Sequence, residues 1–470
     1  MTQPLWTSEE AASATGGRAE GRWQVNGISI DTRSLQKGDL FVALKDVRDG
    51  HDFVPQAYEA GAGACLVSRP INDVPALEVQ DTLIALEQLG SASRHRSNAF
   101  CCAITGSVGK TSVKEMLAQI FRAAGPAHWN VKSFNNHWGV PLTLARMPRD
   151  TKRAVFEIGM NSPGEIYPRS LMVKPHAALI TKIAAAHLEG MGTEEAVARE
   201  KSAIFAGLEP NGFVILPGKD KFFDFLRDVA LDYCPGGRVL TFGGEHDDAF
   251  SVGSSSDGVS TIFTLRIGDE TVDVSVNATG EHWGDNIAAA LLMAKASDIP
   301  VQDAARALNG YAPPDGRGNA EWLDLDCGGR ALMVDDAYNA NPESMRAALA
   351  GFALRPAERK IIALGEMKEL GPDADALHAS LAEPVLACSP AWVMLVGKGM
   401  KPLVDALQPH TNVLWEAEGN PLQIKVNNLL ISGDALLIKG SNASGMHALA
   451  DALRKMSADR SLARNGKEGG

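Results

Sequence analysis

Short apolar runs and polar stretches with helical periodicity alternate along the 470-residue chain. That alternation predicts strands crossing through helices to further parallel strands, the pattern of an α/β fold. The sharpest instance lies at residues 99–123. An apolar run at 100–104 meets Thr-Gly-Ser-Val-Gly-Lys-Thr. Behind it, Val113, Met116, Leu117, Ile120 and Phe121 recur on one helical face. The reading is strand, glycine loop, helix.

The same pattern divides the chain into three units. In the first, 1–97, strands are expected at 25–30, 39–44 and 64–67, with a polar turn at 45–50 and a short helix at 53–61. Residues 93–99, SRHRSNA, read as a linker. The second unit, 98–318, adds buried strands at 154–157 and 177–181, each delivering polar residues at its C-terminal end. Between 213 and 276 the texture changes to short alternating runs with Gly/Asp turns, read as a β-rich insertion returning near Gly280. The turn-rich stretch from Tyr311 marks the next boundary. In the third unit, 319–470, strands at 331–335, 360–364, 392–396 and 435–438 imply right-handed crossovers and another parallel sheet. The last residues, SLARNGKEGG, are expected to fray.

Composition narrows the function. Forty-five basic against 57 acidic residues give a net charge of −12, which argues against a nucleic-acid-binding surface. An anionic ligand must then be held by local donors. Six cysteines (65, 101, 102, 234, 327 and 388) form neither a CxxC pair nor a zinc spacing and fit a reducing compartment. No apolar run reaches membrane-spanning length, and the N-terminus carries no signal-peptide pattern.

The glycine loop is where chemistry enters. Glycines let the backbone approach anionic oxygens, and the N–H groups opening a helix point at them. Gly106, Ser107, Val108, Gly109, Lys110, Thr111 and Ser112 form this candidate phosphate cradle. Lys110 suits the outer phosphates and the Thr111 hydroxyl suits Mg²⁺. The fit to G-x-x-x-x-G-K-[ST] is imperfect, because Ile104 occupies the first glycine position. Glu157 and His187 end or follow successive strands beside the loop, where a carboxylate and an imidazole beside Thr111 suit a second divalent ion. Lys201 sits where its helix turns apolar, and a desolvated lysine loses its proton readily. His282 and Asn286, four apart, share a helix face. Arg317 stands at a domain boundary, where it could meet phosphate across a cleft. Asp335 and Asp336 end a strand and suit ribose hydroxyls, while Asn341-Pro342 reads as a helix start. Asp31-Thr-Arg-Ser and Asp49-Gly-His-Asp fit turn chemistry and a nucleotide head group equally well.

Read together, these segments resemble the Mur ligases of peptidoglycan synthesis over residues 28–450. The likeness is carried by IDTRSLQKGDLFVAL, DGHDFVPQA, TGSVGKTSVKEM, SFNNHWGVPLTL, FEIGMNSPGEI, AAAHLEGMGT, AREKSAIF, GEHWGDNIAAA, VDDAYNANPESM, LGEMKELG and LLIKGSNASGM. TGSVGKT is shared by the whole family and by folylpolyglutamate synthases. FNNHWGVPLTL and DAYNANP point to the dipeptide-adding branch. The resemblance implies three domains: 1–97 binding a UDP-sugar, 98–318 an ATPase, and 319–470 Rossmann-like. It implies ATP and Mg²⁺ as cofactors, and UDP-N-acetylmuramoyl-tripeptide and D-alanyl-D-alanine as partners, in a cytoplasmic monomer. It makes Lys110, Lys201 and His187 catalytic, with Lys201 carbamylated. Thr111, Glu157 and His187 become metal ligands, and Asn286, Arg317 and Asp335 nucleotide contacts. Thr32, Arg33, Asp49 and His51 fall in UDP-binding motifs, and Asn135 and Asn136 where substrate meets the central domain. Alternatives are a tripeptide-forming Mur ligase, a folylpolyglutamate synthase-like ligase, or a regulatory protein that kept the cradle. Family members commonly have KGSR where this chain has Lys439-Gly-Ser-Asn442.

Overall fold

The computed structural model describes residues 3–131, 134–417 and 422–468. Three of its sheets organise the chain. In the first unit, five strands run in the order Arg18–Glu20, Ala76–Glu78, Ala64–Val67, Asp39–Val42, Gly27–Ser29, all parallel except the first. The polar turn leads into a 3-10 turn, Gly50–Phe53, and then the helix Val54–Glu59.

The central sheet has nine strands. Phe100–Thr105 lies between Ala177–Ile180 and Arg153–Glu157, with Ala127–Trp129 at the edge. The chain goes first to one side of Phe100–Thr105 and then to the other. That strand is therefore a switch point, where the strand ends open a crevice. Its apolar run does not alternate because both faces are covered. Cys102 and Ile104 pack with the loop helix Lys110–Ala123, while Cys101 and Ala103 pack on the opposite layer. The two adjacent cysteines are thus core residues.

The β-rich stretch at 213–276 is not a separate insertion. Phe213–Pro217 and Arg238–Phe242 extend the parallel sheet. Ala249–Ser256, Thr261–Ile267 and Glu270–Val276 then complete it as an antiparallel edge. Alternation explains this edge. Phe263, Leu265, Val272 and Val274 bury one face against the helix His282–Ala296 and leave the other to solvent.

The third sheet has six strands in the order Asn319–Asp324, Arg330–Asp336, Asp434–Lys439, Arg359–Gly365, Trp392–Val396, Val413–Glu416. It is parallel except for Asn319–Asp324, which pairs antiparallel with Arg330–Asp336. The expectation of fraying at the C-terminus is not met in the backbone: the helix Met446–Glu468 continues through it. Residues 469–470 lie outside the described set. Among the described residues, no helix is long and apolar enough to cross a membrane.

Candidate active site

The glycine loop opens on strained backbone. Gly106 has φ +148° and Gly109 φ +85°. A Cβ on Gly106 would lie 1.9 Å from Thr181 Oγ1, and one on Gly109 2.7 Å from Asn286 Oδ1. Only glycine fits either position. The loop is pinned from the neighbouring strand. Thr181 Oγ1 donates to the Val108 carbonyl at 2.5 Å, the Ser107 N–H to Lys182 O at 2.7 Å, and Ser107 Oγ to Ala184 O at 2.9 Å. The Ser112 carbonyl lies 3.5 Å from the Tyr311 hydroxyl. Lys110 folds back so that its ammonium donates to Gly106 O at 2.5 Å. Burial pushes this lysine below its ordinary pKa, Glu157 opposes the shift, and Arg317 adds to it.

Sheet register brings Glu157 level with the loop, because it pairs with Ile104. Its carboxylate accepts from Thr111 Oγ1 at 2.9 Å and from Asn135 Nδ2 at 2.7 Å. Its N–H donates to Asn130 Oδ1 at 2.7 Å, and the buried Lys114 holds Asn130 by donating to its carbonyl at 3.0 Å. Sequence reasoning missed Asn130 and Lys114. The signal was a lysine on the buried face of the loop helix. The paired oxygens of Glu157 and Thr111 are hard donors and fit a Mg²⁺ ion. Among the described residues, no three His, Cys, Asp or Glu side chains cluster as a ligand set. A cation here would therefore complete its shell from substrate oxygens or water.

His187 lines the same cavity, with φ +57°, but its bond is to the third unit: Nδ1 lies 2.6 Å from Glu369 Oε2. A carboxylate there fixes the proton on Nδ1 and leaves Nε2 as the acceptor, the arrangement seen for metal-binding imidazoles. Burial, followed by the charges of Lys110 and Lys201, lowers its pKa, while Glu369 acts the other way. Glu369 was not singled out in sequence; its left-handed φ of +62° is visible only in the fold. Lys201 is 1% exposed and is not among the residues that line the cavity. Burial, then the Lys110 charge, holds it well below the ordinary lysine pKa, and Glu200 opposes. Glu200 is itself engaged by the N–H groups of Gly164 and Ile166 at 2.7 and 2.8 Å.

One cavity of about 770 Å³ unites residues 107–112, Asn135, Asn136, Glu157, His187, Asn286 and Arg317 with residues of the third unit. From that side come Asp336, Asn339, Lys439 and Asn442. Lys439 is buried and donates to Asp336 Oδ2 at 2.7 Å and Asn339 O at 3.0 Å. His282 also lines the cavity; burial, with Lys439 and Lys182, pushes its pKa down to about 4.

Several expected residues lie elsewhere. Asp335 does not line the cavity. Successive strand side chains point to opposite faces, and here Asp336 faces the cavity while Asp335 is 2% exposed and bound to Arg454 and Gly316. Asn136 lines the cavity, yet its side chain also accepts from the N–H groups of Trp138 and Gly139, starting the helix Gly139–Ala145. Thr32, Arg33, Asp49 and His51 are outside this cavity, in the first unit. Arg33 is exposed and paired with Asp31 at 2.6 Å, and Thr32 Oγ1 lies 3.4 Å from Gln56. His51 is buried, with Nδ1 2.6 Å from Asp49 and Nε2 accepting the Ser68 N–H at 2.9 Å. That ring shapes its loop and has no nitrogen left for a ligand.

Comparison with known families places this geometry. Residues 24–97 match the Mur ligase family catalytic domain, 104–294 the Mur ligase middle domain, and 321–442 the Mur ligase glutamate ligase domain. Over 443 residues the chain is 34% identical to the UDP-N-acetylmuramoyl-tripeptide--D-alanyl-D-alanine ligase of Escherichia coli (strain K12), covering 92% of this chain and 94% of that relative. The chain belongs to the Mur ligase family. Among solved structures, this Mur ligase is similar to MurF from Acinetobacter baumannii, with a TM-score of 0.84 at 30% identity over 96% of this chain and 99% of that one. It shares the fold of the MurF ligase from Thermotoga maritima in complex with ADP, with a TM-score of 0.77 at 24% identity over 92% of this chain and 98% of that one.

Proposed function

We propose that this protein joins D-alanyl-D-alanine to UDP-N-acetylmuramoyl-tripeptide with hydrolysis of ATP to ADP and phosphate. The observation that carries the reading is one cavity in which a glycine loop and Glu157 face the Asp336–Lys439 edge of another unit. The name shared by relatives 30–34% identical over most of the chain favours this substrate pair over the tripeptide-forming and folate alternatives. In this reading the protein is a cytoplasmic monomer. Residues 1–97 bind the UDP-sugar through the Thr32–Arg33 and Asp49–His51 loops, residues 98–318 bind ATP, and residues 319–470 bring the amine.

A carboxylate does not react with an amine at neutral pH, because oxide is a poor leaving group. Transfer of the γ-phosphoryl group to the acceptor carboxylate gives an acyl phosphate, from which phosphate can leave. The loop amides and Lys110 stabilise the charge of that transfer, and Asn286 and Arg317 orient the nucleotide. Thr111, Glu157 and His187 would hold Mg²⁺, which when bound neutralises phosphate charge. Lys201, desolvated and held well below the ordinary lysine pKa, would take up CO₂ with loss of a proton, and the carbamate would offer an anionic oxygen to a divalent ion. Asn135 and Asn136 hold the acceptor beside Glu157. The dipeptide amine then attacks the acyl carbon, and phosphate departs. Apposition of the second and third units keeps water from the acyl phosphate.

The test is phosphate release with ATP and each substrate alone or together. Release that requires both UDP-N-acetylmuramoyl-tripeptide and the dipeptide is expected. ATP hydrolysis indifferent to the dipeptide would overturn the reading.

A further inference from the structure

Arg317 is flanked by two glycines of positive φ, +74° at Gly316 and +90° at Gly318. Such a segment is loose unless something ties it down. Asp335 ties both sides. Its carboxylate accepts the Gly316 N–H at 3.0 Å, and its carbonyl accepts the Gly318 N–H at 2.8 Å. The Tyr338 N–H bonds back to Gly316 O at 3.0 Å, and the Tyr338 ring carries the Arg317 guanidinium at 4.0 Å. Arg317 is thus clamped between two fixed peptide units and laid on an aromatic face.

Asp335 is oriented in turn from the last helix. Arg454 donates from Nη2 to Asp335 at 2.5 Å, from Nε to Glu321 at 2.5 Å and from Nη1 to Asp451 at 3.0 Å. The other Asp335 oxygen accepts the Ala337 N–H at 3.1 Å. One guanidinium therefore gathers the strands Asn319–Asp324 and Arg330–Asp336 onto the helix Met446–Glu468. Without it, a carboxylate 2% exposed would lose its counter-charge and would have to move toward water. That movement loosens its hold on Gly316.

We propose that Asp335 and Arg454 are positioning residues for phosphoryl transfer: through Gly316 and Gly318 they set where Arg317 meets the phosphates of the nucleotide. The proposal rests on the reading of Arg317 as a phosphate contact. A misplacement of about 1 Å at such a contact can cost on the order of 100-fold in rate.

The experiment is a mutant cycle of Arg317→Ala, Arg454→Ala and the double variant, with Arg454→Lys and Asp335→Asn alongside. Phosphate release gives kcat and the KM for ATP and for dipeptide, and thermal midpoints are recorded in parallel. Arg454→Ala is expected to lower kcat/KM for ATP about tenfold, leaving the KM for dipeptide within about twofold. On the Arg317→Ala background the same change should cost less than about twofold, because the group being positioned is already gone. Arg454→Lys should recover part of the loss, and Asp335→Asn, which keeps an acceptor for Gly316, should lie between. Equal losses on both backgrounds would overturn the proposal in favour of a purely structural pair. If Arg454→Ala does not fold, Arg454→Lys and Asp335→Asn run the same cycle. An Arg317→Ala enzyme with unchanged kcat/KM for ATP would instead refute the reading of Arg317, and the proposal with it.

Discussion

Glu157 shows how one carboxylate is placed by a chain of buried and cavity-lining neighbours. Lys114 fixes Asn130, Asn130 fixes the Glu157 backbone, and Thr111 and Asn135 take the two oxygens. A second residue near this network sets a pH limit. His128, on the edge strand, is held with Nε2 2.7 Å from Thr143 O, and burial, joined by Arg146, pushes its pKa to about 4. The folded state then binds fewer protons than the unfolded chain between about pH 4 and 6.5. Stability from this residue is therefore complete above 6.5 and declines as pH falls toward 4, by up to about 3 kcal/mol. His128→Gln, which keeps a donor for Thr143, should flatten that decline; thermal midpoints at pH 7 and pH 4.5 measure it. At this scale the sequence was readable at Lys110 and Glu157, which the fold does bring to one cavity. It was ambiguous at Asp335-Asp336, two identical neighbours whose roles differ only by the face of a strand. It was equally ambiguous at His51, where an unseen Ser68 N–H decides that the ring is structural.

The loop between Phe100–Thr105 and Lys110–Ala123 is the element whose geometry is most constrained. A methyl group at Gly106 would meet Thr181 Oγ1 at 1.9 Å, and Thr181 is itself bonded to Val108 and Thr105. Neither side can give way without reshaping the loop. Gly106→Ala should therefore cost about 1–3 kcal/mol, lower the thermal midpoint by several degrees, and raise the KM for ATP more than that for dipeptide. Denaturation and phosphate-release kinetics on one preparation separate the two effects. The helix Pro342–Ala353 illustrates an element fully written in sequence: Asn341 caps it by accepting the Ser344 N–H at 2.8 Å, and proline opens it.

Across the whole molecule, the central and third units meet around the cavity through a small set of polar contacts. Lys182 pairs with Glu343, His187 with Glu369, and Arg355 donates to Gly258 O at 2.7 Å. The first unit is fastened to the central one by Trp6 Nε1 on Ala145 O at 2.9 Å and by Arg149 on Glu10 at 2.6 Å. Lys182–Glu343 is an exposed pair and contributes little stability by itself, about 0–1 kcal/mol. Its place at the mouth between units gives it leverage on their apposition. Lys182→Glu, facing Glu343, should lower kcat/KM severalfold through like-charge repulsion. The exchanged pair Lys182→Glu with Glu343→Lys should restore most of it. No restoration would mean that the pair plays no part in closing the site.

By itself, the sequence determined the α/β class and the strand, glycine loop and helix at 100–123. These depend on local periodicity and on residue types that only one backbone geometry accommodates. It also held the family, because many short motifs in fixed order are more specific than any one of them. Tertiary structure alone decided the rest. The stretch at 213–276 was read as an insertion because alternation reports a half-buried sheet without saying which sheet it joins. Glu369 and Arg454 were silent because their partners lie 182 and 119 residues away, and a side chain's role follows from what the fold sets opposite it.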